Sequence, residues 1–99
     1  MTGVVRHNRL SIMKVIILYH PQSEHSRIVE EYAHNFERQR GEIIQMVSLD
    51  TKEGAATATL YDIMAYPAVL ALSDDGQIRK SWEGAQLPLM NEVAAYYQL

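Results

Sequence analysis

The sequence contains no cysteine. The chain therefore has no disulfide bond, no thiolate ligand for a metal ion and no thiol with which to do chemistry. A membrane-spanning helix needs about 20 consecutive apolar residues, and the longest apolar run here is far shorter. No signal-peptide pattern is apparent at the start of the chain. We therefore expect a domain with no membrane partner and a cytoplasmic location.

Basic residues are few and unevenly distributed. The first twelve residues contain Arg6 and Arg9 and no acidic residue, whereas the rest of the chain carries seven Lys and Arg against twelve Asp and Glu. A nucleic-acid surface needs a clustered basic stripe, so nucleic acid is not an expected partner. Met13-Lys14 precedes the first apolar run and looks like a second start. We predict a weakly ordered extension over residues 1–12 and a single domain over residues 13–99.

The stretch Tyr19–Arg27 marks the end of a strand and the beginning of a helix. Lys14–Tyr19 is apolar and β-branched, as a strand covered on both faces should be. Ser23 is the predicted N-cap of the helix, and Gly41 is its predicted end. Between them, apolar residues recur at helical spacing and predict one buried stripe: Ile28, Val29, Tyr32, Ala33 and Phe36.

The remaining elements follow from apolar runs and turn signals. We predict a strand over Ile43–Leu49, a short helix over about Ala55–Asp62, and strands over Ala68–Leu72 and Gln77–Trp82 joined by an Asp-Asp-Gly hairpin turn. Adjacent Arg79 and Lys80 suit an edge strand. Pro88 begins a last helix in which Leu89, Val93 and Tyr96 or Tyr97 face the sheet. The order is β-α-β-α-β-β-α, with the first two strands parallel and the last two antiparallel.

This order resembles the thioredoxin fold over nearly all of residues 14–99. Thioredoxins carry Trp-Cys-Gly-Pro-Cys-Lys after the first of these strands, where this chain has Gln22–Arg27. Tyr61–Ala68 is similar to the family's run ending in Ile-Pro-Thr, which has a cis proline. Asp75–Gln77 and Trp82–Ala85 are similar to its later turn segments. The resemblance implies an α/β fold, a three-layer α/β/α arrangement around a four-stranded mixed sheet, and a cis bond before Pro67.

The departures from the family pattern bear on function. Ser23 and Ser26 stand where the family has its two cysteines, Ile17 where it has a buried Asp, and Gln22 where it has a Trp. A serine hydroxyl is not appreciably ionised near neutral pH, so thiol–disulfide exchange is chemically unavailable. The expected function is therefore that of a non-catalytic domain that binds a peptide or protein partner at a groove beside Tyr66-Pro67, with no cofactor.

The residues predicted to bind the partner come from the loop after the first strand, the Tyr-Pro pair and the turn after the last strand: His20, Gln22, Ser23, Glu24, His25, Ser26, Tyr66, Pro67, Gly84 and Ala85. Main-chain pairing at Tyr66 would hold the ligand by strand addition. Whether the chain is an enzyme stays open, with a non-enzyme favoured. The alternatives are an enzyme that binds an external thiol such as glutathione, with Ser23 bonding the thiolate, and a Cys-to-Ser form of a thiol–disulfide oxidoreductase.

A serine nucleophile and a metal site are two further interpretations of the polar residues, and both are less favoured. Ser23 could be a nucleophile assisted by His25, but no acid is placed to orient the histidine, and no Gly-x-Ser-x-Gly motif is present. A metal site could be built from His20, Glu24, His25 and His34, but their spacing matches no established pattern. We therefore predict neither a catalytic residue nor a metal ligand.

Overall fold

The computed structural model describes residues 14–98. Over this range the chain forms four strands and three helices in the predicted order. The strands are β1 (Lys14–Tyr19), β2 (Gln45–Ser48), β3 (Ala68–Leu72) and β4 (Ile78–Glu83), and the helices are α1 (Ser26–Arg40), α2 (Lys52–Leu60) and α3 (Met90–Ala94), the last followed by a 3₁₀ turn over Ala95–Gln98. The predicted extension over residues 1–12 lies outside the described residues.

The strands form one mixed sheet in the order β2-β1-β3-β4. β1 runs parallel to β2 and antiparallel to β3, and β4 is antiparallel to β3. Leu18 of β1 pairs with Ala68 of β3, which pairs in turn with Glu83 of β4. The end of β1, the start of β3 and the end of β4 therefore meet at one end of the sheet.

The two faces of the sheet carry separate apolar clusters, which gives three layers. On one face, Val15 and Ile17 of β1 pack with Val29 and Phe36 of α1 and with Val93 of α3. On the other face, β1 and β3 pack against Ala58 of α2 and against Ile63. The central strands are therefore covered on both sides, as their continuous apolar sequences predict.

Helix α1 buries a narrower stripe than its sequence predicts. Val29, Ala33 and Phe36 are buried, whereas Ile28 is 57% exposed. The prediction that Ile28 faces the core is wrong because each residue turns the helix by about 100°, which places Ile28 beside the buried row. Gly41 ends the helix in the left-handed conformation, as predicted, and its N–H donates to the carbonyl of Glu37.

Several predicted element limits are wrong for local reasons. β2 is shorter than Ile43–Leu49 because its pairing with β1 spans only Gln45–Ser48. α2 begins before Ala55 because the Thr51 side chain accepts a hydrogen bond from the Gly54 N–H and caps the helix earlier. α2 also ends before Asp62, which has a positive φ of 57° that a right-handed helix does not accommodate.

The last helix is attached to the rest of the domain by buried and aromatic residues. Val93 is fully buried, and the Tyr32 hydroxyl of α1 donates to the carbonyl of Pro88 at 2.8 Å. The prediction that Leu89 faces the sheet is wrong: Leu89 is 67% exposed because it is the extended N-cap residue that precedes the helix. Within residues 14–98, no helix is long and apolar enough to cross a membrane.

Candidate functional site

The candidate site begins with the loop from His20 to His25, which joins β1 to α1. Two successive turns shape this loop: the N–H of Ser23 donates to the carbonyl of His20 at 3.1 Å, and the N–H of Ser26 donates to the carbonyl of Ser23 at 3.3 Å. Gln22 and Glu24 are exposed in the loop, while Ser23 and Ser26 are half-buried. Helix α1 then starts at Ser26.

Ser23 does not cap α1, so that prediction is wrong. The N-cap residue is His25, and its side chain makes no capping hydrogen bond. The Ser23 hydroxyl instead donates to the carbonyl of His20 at 2.7 Å. The two turns of the loop delay the helix until Ser26, which leaves the Ser23 side chain to stabilise the turn rather than the helix end.

His25 closes the loop through its side chain. Its Nε2 accepts a hydrogen bond from the backbone N–H of His20 at 3.2 Å, which requires this nitrogen to be unprotonated. Partial burial, and secondarily the nearby His20, lower the pKa of His25 from its ordinary value of 6.5. His25 is therefore held as a neutral acceptor, and its contact is with the His20 backbone rather than with the Ser23 hydroxyl.

Tyr66 lies beside this loop, where the start of β3 meets the end of β1. Its ring contacts the His20 ring edge-on, with the centroids 5.5 Å apart. The Tyr66 hydroxyl donates to the carbonyl of Ile63 at 3.0 Å. The peptide bond between Tyr66 and Pro67 is cis.

The backbone on both sides of Tyr66 is held in place. The N–H of Ala65 donates to the Glu83 carboxylate at 3.3 Å, and the carbonyl of Pro67 accepts from the N–H of Gly84 at 2.9 Å. Within the described part of the chain, no hydrogen bond reaches the backbone N–H or carbonyl of Tyr66 itself. With respect to the described residues, the N–H and carbonyl of Tyr66 are therefore free, and the backbone on either side of them is fixed.

Gly84 and Ala85 form the third side of the site. Gly84 has a φ of 109°, which favours glycine, and a Cβ built on it would meet open space. The Gly84 N–H donates to the Pro67 carbonyl at 2.9 Å, and the next residue, Ala85, is exposed. Gly84 and Ala85 therefore border the Tyr66-Pro67 pair through the hydrogen bond between Gly84 and Pro67.

The structure brings together most, but not all, of the residues that the sequence analysis selected. His20, Ser23, His25 and Tyr66 are linked by hydrogen bonds or ring contacts, and Pro67 is linked to Gly84. Among residues 14–98, no hydrogen bond joins the side chains of Gln22 or Glu24 to this group.

Sequence reasoning missed Glu83. Its carboxylate accepts from the N–H groups of Met64 and Ala65 and so fixes the approach to Tyr66. Glu83 follows the predicted end of the last strand, and no pattern in the sequence connects it to a turn almost twenty residues earlier. Only the observed register of β3 and β4 shows the connection.

The polar groups of this site do not form a nucleophilic or metal-binding constellation. The Ser23 hydroxyl donates to the His20 carbonyl, and the Nε2 of His25 accepts from the His20 N–H. Ser23 and His25 therefore do not form the hydrogen bond with each other that a serine nucleophile needs. Across the described residues 14–98, no group of three or more His, Asp or Glu residues could hold a metal ion.

Comparison with known proteins establishes the fold. No protein-family model and no curated protein matches the sequence. Among solved structures, Schistosoma mansoni thioredoxin pre-protein matches at a TM-score of 0.71 and 16% identity, covering 95% of this chain and 87% of its own. Fasciola hepatica thioredoxin matches at a TM-score of 0.69 and 18% identity, covering 95% of this chain and 88% of its own. Malassezia sympodialis thioredoxin matches at a TM-score of 0.70 and 12% identity, covering 100% of this chain and 89% of its own.

The predicted fold class is therefore confirmed: the chain has a thioredoxin-like α/β fold around a four-stranded mixed sheet. Identities this low show the fold and not the activity. The absence of cysteine is decisive for one activity, because thiol–disulfide exchange needs a thiolate that this chain does not contain. The chain does not exchange disulfides through its own side chains.

Proposed function

We propose that the chain is a non-catalytic thioredoxin-like domain that binds an extended segment of a partner protein. The binding surface, here called the Tyr66 groove, is formed by His20–Ser26, Tyr66-Pro67 and Gly84-Ala85. The observation that carries this proposal is that, within residues 14–98, the backbone N–H and carbonyl of Tyr66 have no hydrogen-bond partner, while both neighbouring residues are hydrogen-bonded.

Main-chain pairing is the interaction that this geometry favours. A strand that lies beside Tyr66 can donate to its carbonyl and accept from its N–H, as in recognition by strand addition. Because Ala65 and Pro67 are anchored to Glu83 and Gly84, little backbone freedom is lost on binding, which favours affinity. The contacting rings of His20 and Tyr66 offer an aromatic wall for one ligand side chain.

The external-thiol alternative has less support. In that hypothesis the Ser23 hydroxyl would donate to a bound thiolate, but its hydrogen is directed at the His20 carbonyl at 2.7 Å. Binding a thiolate at Ser23 would cost this bond, which stabilises the loop. No second observation in the described residues favours a thiol ligand, so we propose the peptide-binding function alone.

Selection from a displayed library of extended peptides, with the full chain as bait, tests this proposal. The affinity of a selected peptide is then compared between the unchanged chain and an Ala85→Arg variant, which places a long charged side chain next to the Pro67–Gly84 hydrogen bond. We expect the dissociation constant to rise by about tenfold or more, because the new side chain obstructs the strand position.

Leu60→Arg is the matched control. Leu60 is 73% exposed and lines a cavity with Lys14 and Gly76 at the other end of the sheet, so it receives the same side chain away from the groove. Peptides that bind the Ala85→Arg variant as tightly as the unchanged chain would contradict the proposal.

A further inference from the structure

A second open surface lies between α1 and the free edge of β2. It is a groove of about 600 Å³, here called the β2 groove. Its lining consists of three glutamates, one histidine and four apolar residues: Glu30, Glu31, Ala33, His34, Glu37, Ile43, Ile44 and Met46. None of these residues belongs to the Tyr66 groove.

The floor of the β2 groove is apolar and partly exposed to water. Ile43 is 66% exposed and Met46 is 43% exposed, and both belong to the small set of large apolar residues that the domain leaves uncovered. Ile43 and Met46 line the same groove, so their exposed surfaces belong to one patch rather than to scattered positions. An exposed apolar patch with a polar rim is typical of an interaction surface.

The strand beside this floor, Gln45–Ser48, lacks the residue types that discourage pairing. Within residues 14–98, β2 pairs only with β1 and forms one edge of the sheet. The opposite edge, β4, carries Arg79 and Lys80, charges that discourage a further strand. By contrast, Gln45–Ser48 contains neither a charged residue nor a proline. Among residues 14–98, the outer side of β2 therefore has no paired strand and can offer its backbone groups to an added one.

The wall of the groove is acidic. Glu30, Ala33, His34 and Glu37 recur at helical spacing on one side of α1, so Glu30 and Glu37 lie two turns, or about 10 Å, apart along the helix. Glu31 is paired with Arg27 at 3.7 Å, and neither Glu30 nor Glu37 has a salt-bridge partner among residues 14–98. No lysine or arginine lines the groove within that range.

We propose that the β2 groove binds an extended, basic peptide segment of another protein by strand addition to β2. One face of the added strand would carry an apolar side chain, placed on Ile43 and Met46, between two basic side chains that reach Glu30 and Glu37. Alternate residues on one strand face are about 7 Å apart, so basic residues four positions apart are about 14 Å apart at the backbone. Their long, flexible side chains can converge on the two carboxylates, which lie about 10 Å apart along the helix. The acidic wall repels nucleic-acid phosphates and anionic lipids, which leaves a basic protein segment as the occupant.

Titration of the ¹⁵N-labelled full chain with the peptide TRTVTRT tests this inference. The peptide places two arginines and a valine on one face of a strand. We expect amide shift changes in Ile43–Ser48 and along α1, and about a fivefold or greater rise in dissociation constant in the Glu30→Gln/Glu37→Gln variant. Added salt should weaken the binding, and the peptide TETVTET should not bind.

Two matched variants separate this surface from general effects. Glu53→Gln/Asp74→Asn removes the same number of exposed acidic charges elsewhere and should leave the affinity unchanged. Met46→Lys places a charge on the β2 edge and should abolish binding, whereas Leu60→Lys should not. The inference is independent of the Tyr66 groove, so Ala85→Arg should bind TRTVTRT normally.

Three results would overturn the inference. The first is binding that the Glu30→Gln/Glu37→Gln and Met46→Lys variants retain. The second is a shift pattern that excludes Ile43–Ser48, or the absence of any shift. The third combines two observations: the peptide does not bind, and the amide signals of β2 shift in the Arg6→Gln/Arg9→Gln variant. That result would mean that the chain's own first residues occupy the groove.

Discussion

Two apolar residues of α1, Phe36 and Ile28, differ sharply in burial. Phe36 is fully buried and its ring contacts Tyr97, with the centroids 5.8 Å apart. Phe36→Ala should therefore lower the free energy of unfolding by about 3–5 kcal/mol. Ile28 is 57% exposed, and Ile28→Ala should change the free energy of unfolding by less than about 1 kcal/mol. Urea unfolding of both variants measures the difference; equal losses would contradict the packing described for α1.

His25 should give the domain a pH dependence of definite sign. Because its folded pKa is lowered below 6.5, the neutral form contributes stability that is present above the unfolded pKa and is lost as the pH falls through the folded pKa. We expect the free energy of unfolding to decrease between about pH 7 and pH 5, and this decrease to be smaller in His25→Gln. Identical pH profiles for the two proteins would contradict the acceptor role of Nε2.

Single residues show where sequence reasoning stops. The spacing of Val29, Ala33 and Phe36 was sufficient to predict their burial, because helical periodicity alone places them on one face. Ile28 and Leu89 have the same apolar character, but Ile28 lies beside the buried row of its helix and Leu89 precedes its helix, so both face water. Ser23 resembles a capping residue in sequence, yet the two loop turns that move the helix start to Ser26 depend on the His20 carbonyl and the His25 ring.

At the level of elements, Gly54 shows how closely α2 approaches β2. A Cβ built on Gly54 would overlap the backbone carbonyl of Ser48. Alanine is a better helix former than glycine by about 1 kcal/mol, but Gly54→Ala should nevertheless destabilise the domain by about 2 kcal/mol or more, because two backbones must move apart.

Thermal unfolding of Gly54→Ala measures this effect, with Ala56→Gly as the companion variant. Ala56 is exposed in the same helix, so its replacement should cost only the propensity difference of about 1 kcal/mol. A Gly54→Ala variant more stable than the unchanged chain would contradict the close contact between α2 and Ser48.

The order of the elements was predictable, whereas their limits were not. Apolar runs, the Asp-Asp-Gly turn and the helix-ending Gly41 are local signals, and they predicted the sequence of strands and helices. The start of α2 depends on the Thr51 cap, its end on the left-handed Asp62, and the length of β2 on the register with β1. Each of these limits is decided by a competition between neighbouring backbone groups that residue types alone do not resolve.

At the level of the whole molecule, the fold places separated segments at one end of the sheet. The resemblance to thioredoxins predicted that the loop after β1, the Tyr66-Pro67 pair and the Gly84 turn would lie near one another. The ring contact of His20 with Tyr66 and the Pro67–Gly84 hydrogen bond agree with part of that arrangement. The anchoring of the Tyr66 backbone by Glu83 was not predictable, since it joins residues that are distant in sequence.

The proposed function depends on the free amide of Tyr66, and hydrogen exchange measures that group directly. With a library-selected peptide bound to the full chain, exchange of the Tyr66 amide should slow by about tenfold or more, because the peptide accepts its hydrogen bond. The exposed amide of Asp74 in the distant hairpin turn should exchange at an unchanged rate. Peptide binding that leaves the exchange rate of Tyr66 unaltered would show that the ligand is held elsewhere and would contradict the account.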